Sequence, residues 1–295
     1  MEKGLMESNG VCWLPDGRYL GYALYGDPNG YPILYFHGGQ ESRLSSTFMH
    51  EACCSIGIRL ISPERPGIGL STFHPQRKFS HWASDIQELV RHLQLPQYSI
   101  FGLSGGAPHV LACVSAQLKG LSKAAVVSGA APYNFKGSLK GMWFPVQMMH
   151  YMARFKNNAL LSKAIDYDYR ELRDSPEKRL KQLQKHLPRP DRVLLNTNPD
   201  YGMEFIRGAL EAYTQGIDGV VQEWQMYVRD WEIDFDRIEH PLTLWYGTSD
   251  KMAPPARAEF YDRRIPHTRL NLIENEGHFS LIRNHIRPIL NDLLP

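Results

Sequence analysis

The sequence predicts an α/β protein: a mostly parallel central sheet flanked by helices, with an all-helical segment inserted before the late strands. Three observations carry this prediction. Short β-rich apolar runs alternate with helical apolar periodicity through the first third of the chain, the pattern of parallel βαβ units. Between Pro132 and Glu232 the alternation stops and only helical patterns appear. It resumes at "PLTLWYGTSD" and continues to the end of the chain. A chain of 295 residues suits one large α/β domain with an insertion, or two domains. The insertion ends are the expected boundaries. They give a core of residues 1–131 and 234–295 around a helical cap of residues 132–233.

Taken in order, "GVCWLP" and "RYLGYALYG" flank Asp16-Gly17, a hairpin turn signal, and predict two antiparallel edge strands. "PILYFHGG" reads as a buried strand ending in glycines. A helix is expected from about Ser46 to Ser55, followed by a strand in "GIRLISPERPG". Trp82, Ile86, Leu89, Val90 and Leu93 share one face of an amphipathic helix. "YSIFGLS" is the next strand. In the helix after it Ala107, Leu111, Val114 and Leu118 form the stripe, and Pro108 is tolerated in the first turn. "KAAVVSGA" follows as a strand. The insertion shows helical patterns in "MWFPVQMMHYMARF", "KRLKQLQKHL", "EFIRGALEAY" and "VVQEWQMYVRDW". The late alternation consists of a strand in "PLTLWYG", a helix in "PARAEFYDRRI", a strand in "TRLNLIENEG" and a helix in "HFSLIRNHIRPILNDLL".

Composition narrows the function. With 33 basic and 31 acidic residues, the net charge of +2 carries no nucleic-acid footprint. No stretch approaches the roughly 20 continuous apolar residues of a membrane span, and "MEKGLMESNG" has no apolar leader core. Cys12, Cys53, Cys54 and Cys113 lie in apolar segments without C-x-x-C spacing, as buried free thiols do. A cytoplasmic protein in a reducing compartment is expected. No histidine pattern of the H-x-x-x-H or H-E-x-x-H kind occurs, so neither a catalytic metal nor a cofactor is expected.

Chemistry concentrates around Ser104. Gly102, Ser104 and Gly106 match G-x-S-x-G, a weak signal until its context is added: a strand before, a helix after, and small residues on both sides of the serine. A serine hydroxyl is a poor nucleophile unless a histidine takes its proton and a carboxylate orients that histidine. Asp250 in "GTSD" and His278 in "EGH" follow late strands, at the carboxyl edge where open parallel sheets place their sites. Asp230, Asp234 and Asp236 precede a late strand instead of following it and rank below Asp250 as the acid.

With "HGG", "RPGIGLS", "GLSGG", "GTSD" and "EGH" in this order, the chain resembles a cap-bearing, serine-nucleophile member of the α/β-hydrolase superfamily. The resemblance covers essentially the whole core, and the insertion matches only in position and helical character. It implies a triad of Ser104, Asp250 and His278, with an oxyanion hole built from the backbone N–H groups of Gly39 and Gly105. It further implies acyl transfer to water on an ester, thioester or activated carbonyl. Two departures stand out: His37-Gly38-Gly39-Gln40 replaces the His-Gly-Gly-Pro-Gly of related aminopeptidases, and Glu64 stands where many relatives carry Asp. Serine at the elbow argues against epoxide hydrolases and dehalogenases of this fold, which place Asp there.

The remaining candidates have plainer readings. His37 ties down its loop, His109 packs in its helix, and Glu64 holds the loop it begins. In the insertion, Trp143, Phe144, Met148 and Met149 serve either as helix-packing core or as an adaptable ceiling over a hydrophobic small-molecule substrate, with Gln40 beside the oxyanion glycines. From Tyr133 to Arg192 there are thirteen Lys or Arg against six Asp or Glu, which fits a solvated face or an acidic partner. Two rival functions stay open. One is the same triad turned to carbon–carbon cleavage, isomerisation or cyclisation in specialised metabolism; the other is a ligand-binding receptor on the same scaffold. Oligomeric state is left open by the sequence.

Overall fold

The computed structural model describes residues 8–295; most of the leader reading in "MEKGLMESNG" lies outside the described residues. Among the described residues eight strands form one sheet: β1 (Ser8–Trp13), β2 (Tyr19–Gly26), β3 (Tyr31–Phe36), β4 (Ile58–Pro63), β5 (Tyr98–Leu103), β6 (Leu121–Val127), β7 (Leu242–Gly247) and β8 (Thr268–Ile273). Their spatial order is β1-β2-β4-β3-β5-β6-β7-β8. The pairings of β2 with β1 and with β4 are antiparallel, and all others are parallel. Asp16-Gly17 does close the β1–β2 hairpin, with Gly17 at φ 84°. Of these two strands only β1 is an edge, however. β2 is sealed on its other side by β4, which explains why Leu20, Ala23 and Tyr25 of β2 are buried.

Burial along each strand follows its position. Every residue of central β5 is buried, the continuous apolar run expected of a strand covered on both faces, whereas edge strand β8 is half-buried. On one face α2 (Phe79–His92) and α3 (Ala107–Ser115) bury Trp82, Ile86, Leu89, Val110 and Leu111 against the sheet. On the other, α1 (His50–Ile56) and α11 (His278–Asp292) cover it with Cys53, Leu281, Ile282, Ile289 and Leu290. The helix expected over 46–55 is in fact a 3-10 turn, Arg43–Met49, that runs into α1. Ser42 caps that turn by accepting from Leu44 N. α11 bends at His285 because Pro288 donates no N–H and its ring crowds the preceding turn. α10 (Ala256–Arg264) joins β7 to β8.

Between β6 and β7 lie six helices: α4 (Phe144–Ala153), α5 (Ala159–Asp174), α6 (Pro176–His186), α7 (Arg189–Thr197), α8 (Pro199–Glu211) and α9 (Asp218–Val228). They gather an apolar cluster of their own around Leu161, Ile165, Leu195, Ile206 and Val220, and it reaches Ile68 and Phe279 of the core. Cys12, Cys53 and Cys113 are buried free thiols as expected; Cys54 is exposed, because it faces outward on the short helix α1. Among the described residues no helix is long and apolar enough to cross a membrane.

Candidate active site

Ser104 stands in the turn from β5 into α3 and lines a cavity. Ser104 has φ 50°, a left-handed backbone that costs an L-residue about 1–2 kcal/mol. The flanking glycines show what holds it there. A Cβ at position 102 would stand 2.7 Å from the Gly106 carbonyl oxygen, and one at position 106 would stand 2.2 Å from that of Phe36. No side chain fits at either position, so the turn closes only with glycine two residues before and after the serine. The Ser104 carbonyl is pinned in turn by the N–H of Ala130, 2.8 Å away.

Asp250 lies in the loop after β7 and His278 opens α11 after β8, so both come from carboxyl ends of strands beside β5 and β6. Both are buried. The His278 ring donates from Nδ1 to Asp250 Oδ2 at 2.8 Å. The second carboxylate oxygen, Oδ1, accepts from the N–H groups of Met252 and Ala253 at 2.7 and 2.8 Å, which fixes the carboxylate's orientation. Burial disfavours a charged ring at His278. The carboxylates of Asp250, Asp191 and Glu41 outweigh it and hold the imidazole above its ordinary value.

Gly39 and Gly105 meet across the site: a Cβ on Gly105 would lie 2.8 Å from the Gly39 nitrogen. Arg65, completely buried, donates to the carbonyls of His37 and Gly38 at 2.6 and 2.7 Å and so sets the peptide planes leading to Gly39. Glu41 accepts from Gly38 N at 3.1 Å. His37 Nδ1 bonds the Gly38 carbonyl, and burial together with Arg65 holds that ring well below the ordinary histidine value, hence neutral. His109 bonds the Gly105 carbonyl at 3.1 Å and packs edge-on against Phe79 and Trp82. Glu64 binds Arg43 and the N–H of Leu70, closing the loop it begins. Sequence reading did not single out Arg65, Glu223 or Tyr227. Glu223 of α9 pairs with Arg65 and with Arg77, and Tyr227 on the same helix donates to Gly105 O at 3.2 Å. The sequence signal for Glu223 and Tyr227 was polar groups on an otherwise apolar helix, and that for Arg65 its place in "RPGIGLS" after β4.

Ser104, His278, Gly39 and Gly105 open on one cavity of about 420 Å³. Its far wall is made by the inserted helices, through Trp143, Met148, Met149 and Trp224, and Gln40 completes the rim near Gly39. Phe144 departs from the sequence expectation. It is 67% exposed, about a quarter turn off the face of α4 that carries Pro145, Met149 and Met152 into the cavity. Asp230, Asp234 and Asp236 are spent elsewhere: Asp230 on the N–H of Glu232, Asp234 on Arg237 and Asp236 on Arg264. Arg179 and Asp168 form an ion pair on the cavity wall.

The model of the alpha/beta hydrolase fold family matches residues 31–284, which include six of the eight strands described and the residues from Gly39 to His278. The chain belongs to the alpha/beta hydrolase fold family. Among curated relatives it is 31% identical over 93 residues to an uncharacterised hydrolase of Bacillus subtilis, covering 32% of each chain. It is 34% identical over 94 residues to a probable proline iminopeptidase of Leptolyngbya boryana, covering 31% of this chain and 29% of the relative. The matched region thus spans about a third of the length of these relatives. Among solved structures, a bromoperoxidase from Bacillus anthracis superposes with a TM-score of 0.69 at 18% identity, covering 97% of this chain and 99% of the other. An esterase from Rhodococcus superposes equally well at 15% identity, covering 97% and 100%. At such identities the likeness is one of fold, and an alpha/beta hydrolase fold carries many chemistries.

Proposed function

We propose that this alpha/beta hydrolase is a serine hydrolase that transfers an acyl group to water from an ester, thioester or activated carbonyl of a hydrophobic small molecule. The observation that carries this reading is the buried Nδ1 hydrogen bond of His278 to Asp250, opening on the same cavity as Ser104 on its strained turn. Because Nδ1 is committed to Asp250, Nε2 is the nitrogen free to take a proton. The Ser104 hydroxyl oxygen attacks the carbonyl carbon as its proton passes to His278 Nε2. The N–H groups of Gly39 and Gly105 hold the resulting oxyanion, a contribution of typically 10²–10³ in rate per donor. His278 returns the proton to the leaving group, and a water repeats the sequence on the acyl-serine. Residues 132–233 act as a cap, whose apolar wall explains a preference for hydrophobic acyl or alcohol groups.

The test is labelling of folded protein by a fluorophosphonate, followed by a panel of short- and medium-chain acyl esters and an aminoacyl amide. Modification at Ser104 with ester turnover is the expected result; an unlabelled Ser104 would favour a receptor. Solvent oxygen from labelled water should appear in the acid product, and its absence would point to cleavage or isomerisation without hydrolysis.

Two outcomes follow from the geometry. The base works only as the neutral ring, so activity is lost as pH falls through the His278 pKa. With that pKa raised, the acid limb of kcat/KM should lie above the ordinary value of 6.5, with a plateau on the alkaline side. A limb at or below 6.5 would contradict the carboxylate environment described above. Within the cap, Met149→Ser should raise KM for a hydrophobic ester by roughly tenfold, about the worth of one buried apolar side chain. Phe144→Ser should leave it unchanged, since Phe144 faces solvent.

A further inference from the structure

The helix that carries His278 is capped from outside its own neighbourhood. The first turn of any helix leaves N–H groups without partners, and a Ser, Thr, Asp or Asn just before it usually answers them. Before α11 stands Gly277, which has no side chain to offer. Instead the carboxylate of Asp191, from α7 in the inserted segment, reaches that turn. Its Oδ2 accepts from His278 N at 3.0 Å, and its Oδ1 accepts from Phe279 N at 3.0 Å and Ser280 N at 2.8 Å. Asp191 is completely buried. A Cβ at position 277 would stand 2.4 Å from Asp191 Oδ2, so the missing side chain of Gly277 is the space the carboxylate occupies. Gly277 N turns back to Ser280 Oγ at 2.8 Å, closing the turn from its own side.

Burying a carboxylate costs several kcal/mol unless hydrogen bonds replace its water. Three N–H groups at the positive end of a helix do so, and in exchange they fix where that helix starts. The backbone of His278 is one of the three. His278 is therefore held at two points, its ring at Nδ1 by Asp250 and its backbone N–H by Asp191. Accepting His278 as the base of Ser104, we propose that Asp191 is a positioning residue for it: a carboxylate of the inserted segment that locks the first turn of α11, so that the inserted helices and the base move as one unit. The charged groups facing His278 are Asp250 from the loop after β7, Glu41 from the loop after β3 and Asp191 from α7. All three favour the protonated ring, so removing the Asp191 charge lowers the pKa of the base.

The test is the second-order rate of fluorophosphonate labelling at Ser104 in the full chain, followed against pH. Wild-type protein that is not labelled would sink the serine-hydrolase reading itself. Given a labelled wild type, Asp191→Asn should label about 10- to 100-fold more slowly, the scale of a small displacement of a reacting group, and its acid limb should move to lower pH. Leu195→Ala, which loosens the packing of α7 but keeps the carboxylate, should lower the unfolding temperature and leave the pH profile in place. Combining Asp191→Ala with Gly277→Asp puts a carboxylate back at the start of α11, where the extended backbone of residue 277 already suits a cap, and should recover most of the wild-type labelling rate. That double variant carries the test if Asp191→Asn does not fold. The assignment is overturned if Asp191→Asn labels with the wild-type rate and limb, if Leu195→Ala shifts the limb as far, or if the double variant folds and stays slow. Failure of both Asp191 variants to fold also overturns it, because the group is then structural alone.

Discussion

Ser104→Ala should lower kcat on the preferred ester by about 10⁴ or more while leaving the unfolding curve nearly unchanged. The two halves of that result have different causes. Under the proposed mechanism turnover falls because the hydroxyl that forms the acyl intermediate is gone, and what persists is binding plus the N–H groups of Gly39 and Gly105. Stability is preserved because alanine, like serine, must be held at φ 50° by the same flanking glycines. Ser104→Gly separates strain from chemistry. It should be as inactive as the alanine variant yet more stable than it by about 1 kcal/mol, since glycine meets no steric penalty in the left-handed region. Chemical denaturation of the two variants, with ester turnover assayed on the same samples, measures both. Wild-type turnover by Ser104→Ala would end the covalent mechanism, and a glycine variant no more stable than alanine would mean the elbow is not strained.

Much of this architecture was legible in residue order. Strand-helix alternation located the sheet, and the glycine-flanked serine, "GTSD" and "EGH" each fell at the carboxyl end of a strand, where Ser104 and His278 line one cavity and Asp250 bonds the His278 ring from behind. Local signals failed where a structure is decided by distant partners. Helix α7 matched none of the helical patterns read in the insertion: Pro190 sits in its first turn, where no N–H is required of it, and Asp191 beside it serves a helix 87 residues later. Helix α5 was missed for a related reason. Its apolar residues Leu161, Ile165 and Leu172 are few and spaced among charges, so its amphipathic face becomes evident only against the helices it packs on. Phe144 erred in the other direction, because an aromatic residue at the start of a helix carries no information about which way the first turn faces.

Glu223→Gln should have the largest effect on stability, costing about 3–5 kcal/mol, the usual consequence of removing one partner from a buried ion pair. Glu223 lies between Arg65 and Arg77, and all three side chains are within 3% of complete burial. Burial alone would favour its neutral form, but the two guanidinium groups overcome this and hold its carboxyl below the ordinary range. Its neutral replacement would leave two positive charges in the core with no negative charge between them. The pH dependence has a definite sign. A depressed carboxyl contributes stability that is present above its unfolded pKa and lost as pH falls through its folded one. Wild type and variant should therefore differ most near neutrality and converge as pH drops below about 4.5. Under the proposed mechanism function should follow, because Arg65 holds the His37 and Gly38 carbonyls on the chain leading to Gly39, the proposed oxyanion donor. With Glu223 gone the guanidinium is free to tilt, and kcat should fall by roughly tenfold or more with little change in KM, as expected when a transition-state donor is displaced and the binding wall is not. Urea denaturation from neutral pH down to about pH 2, paired with steady-state kinetics at low temperature where the variant stays folded, reads both effects. A variant that unfolds more easily but turns over normally would show that the ion pair fastens α9 to the core without setting the oxyanion loop.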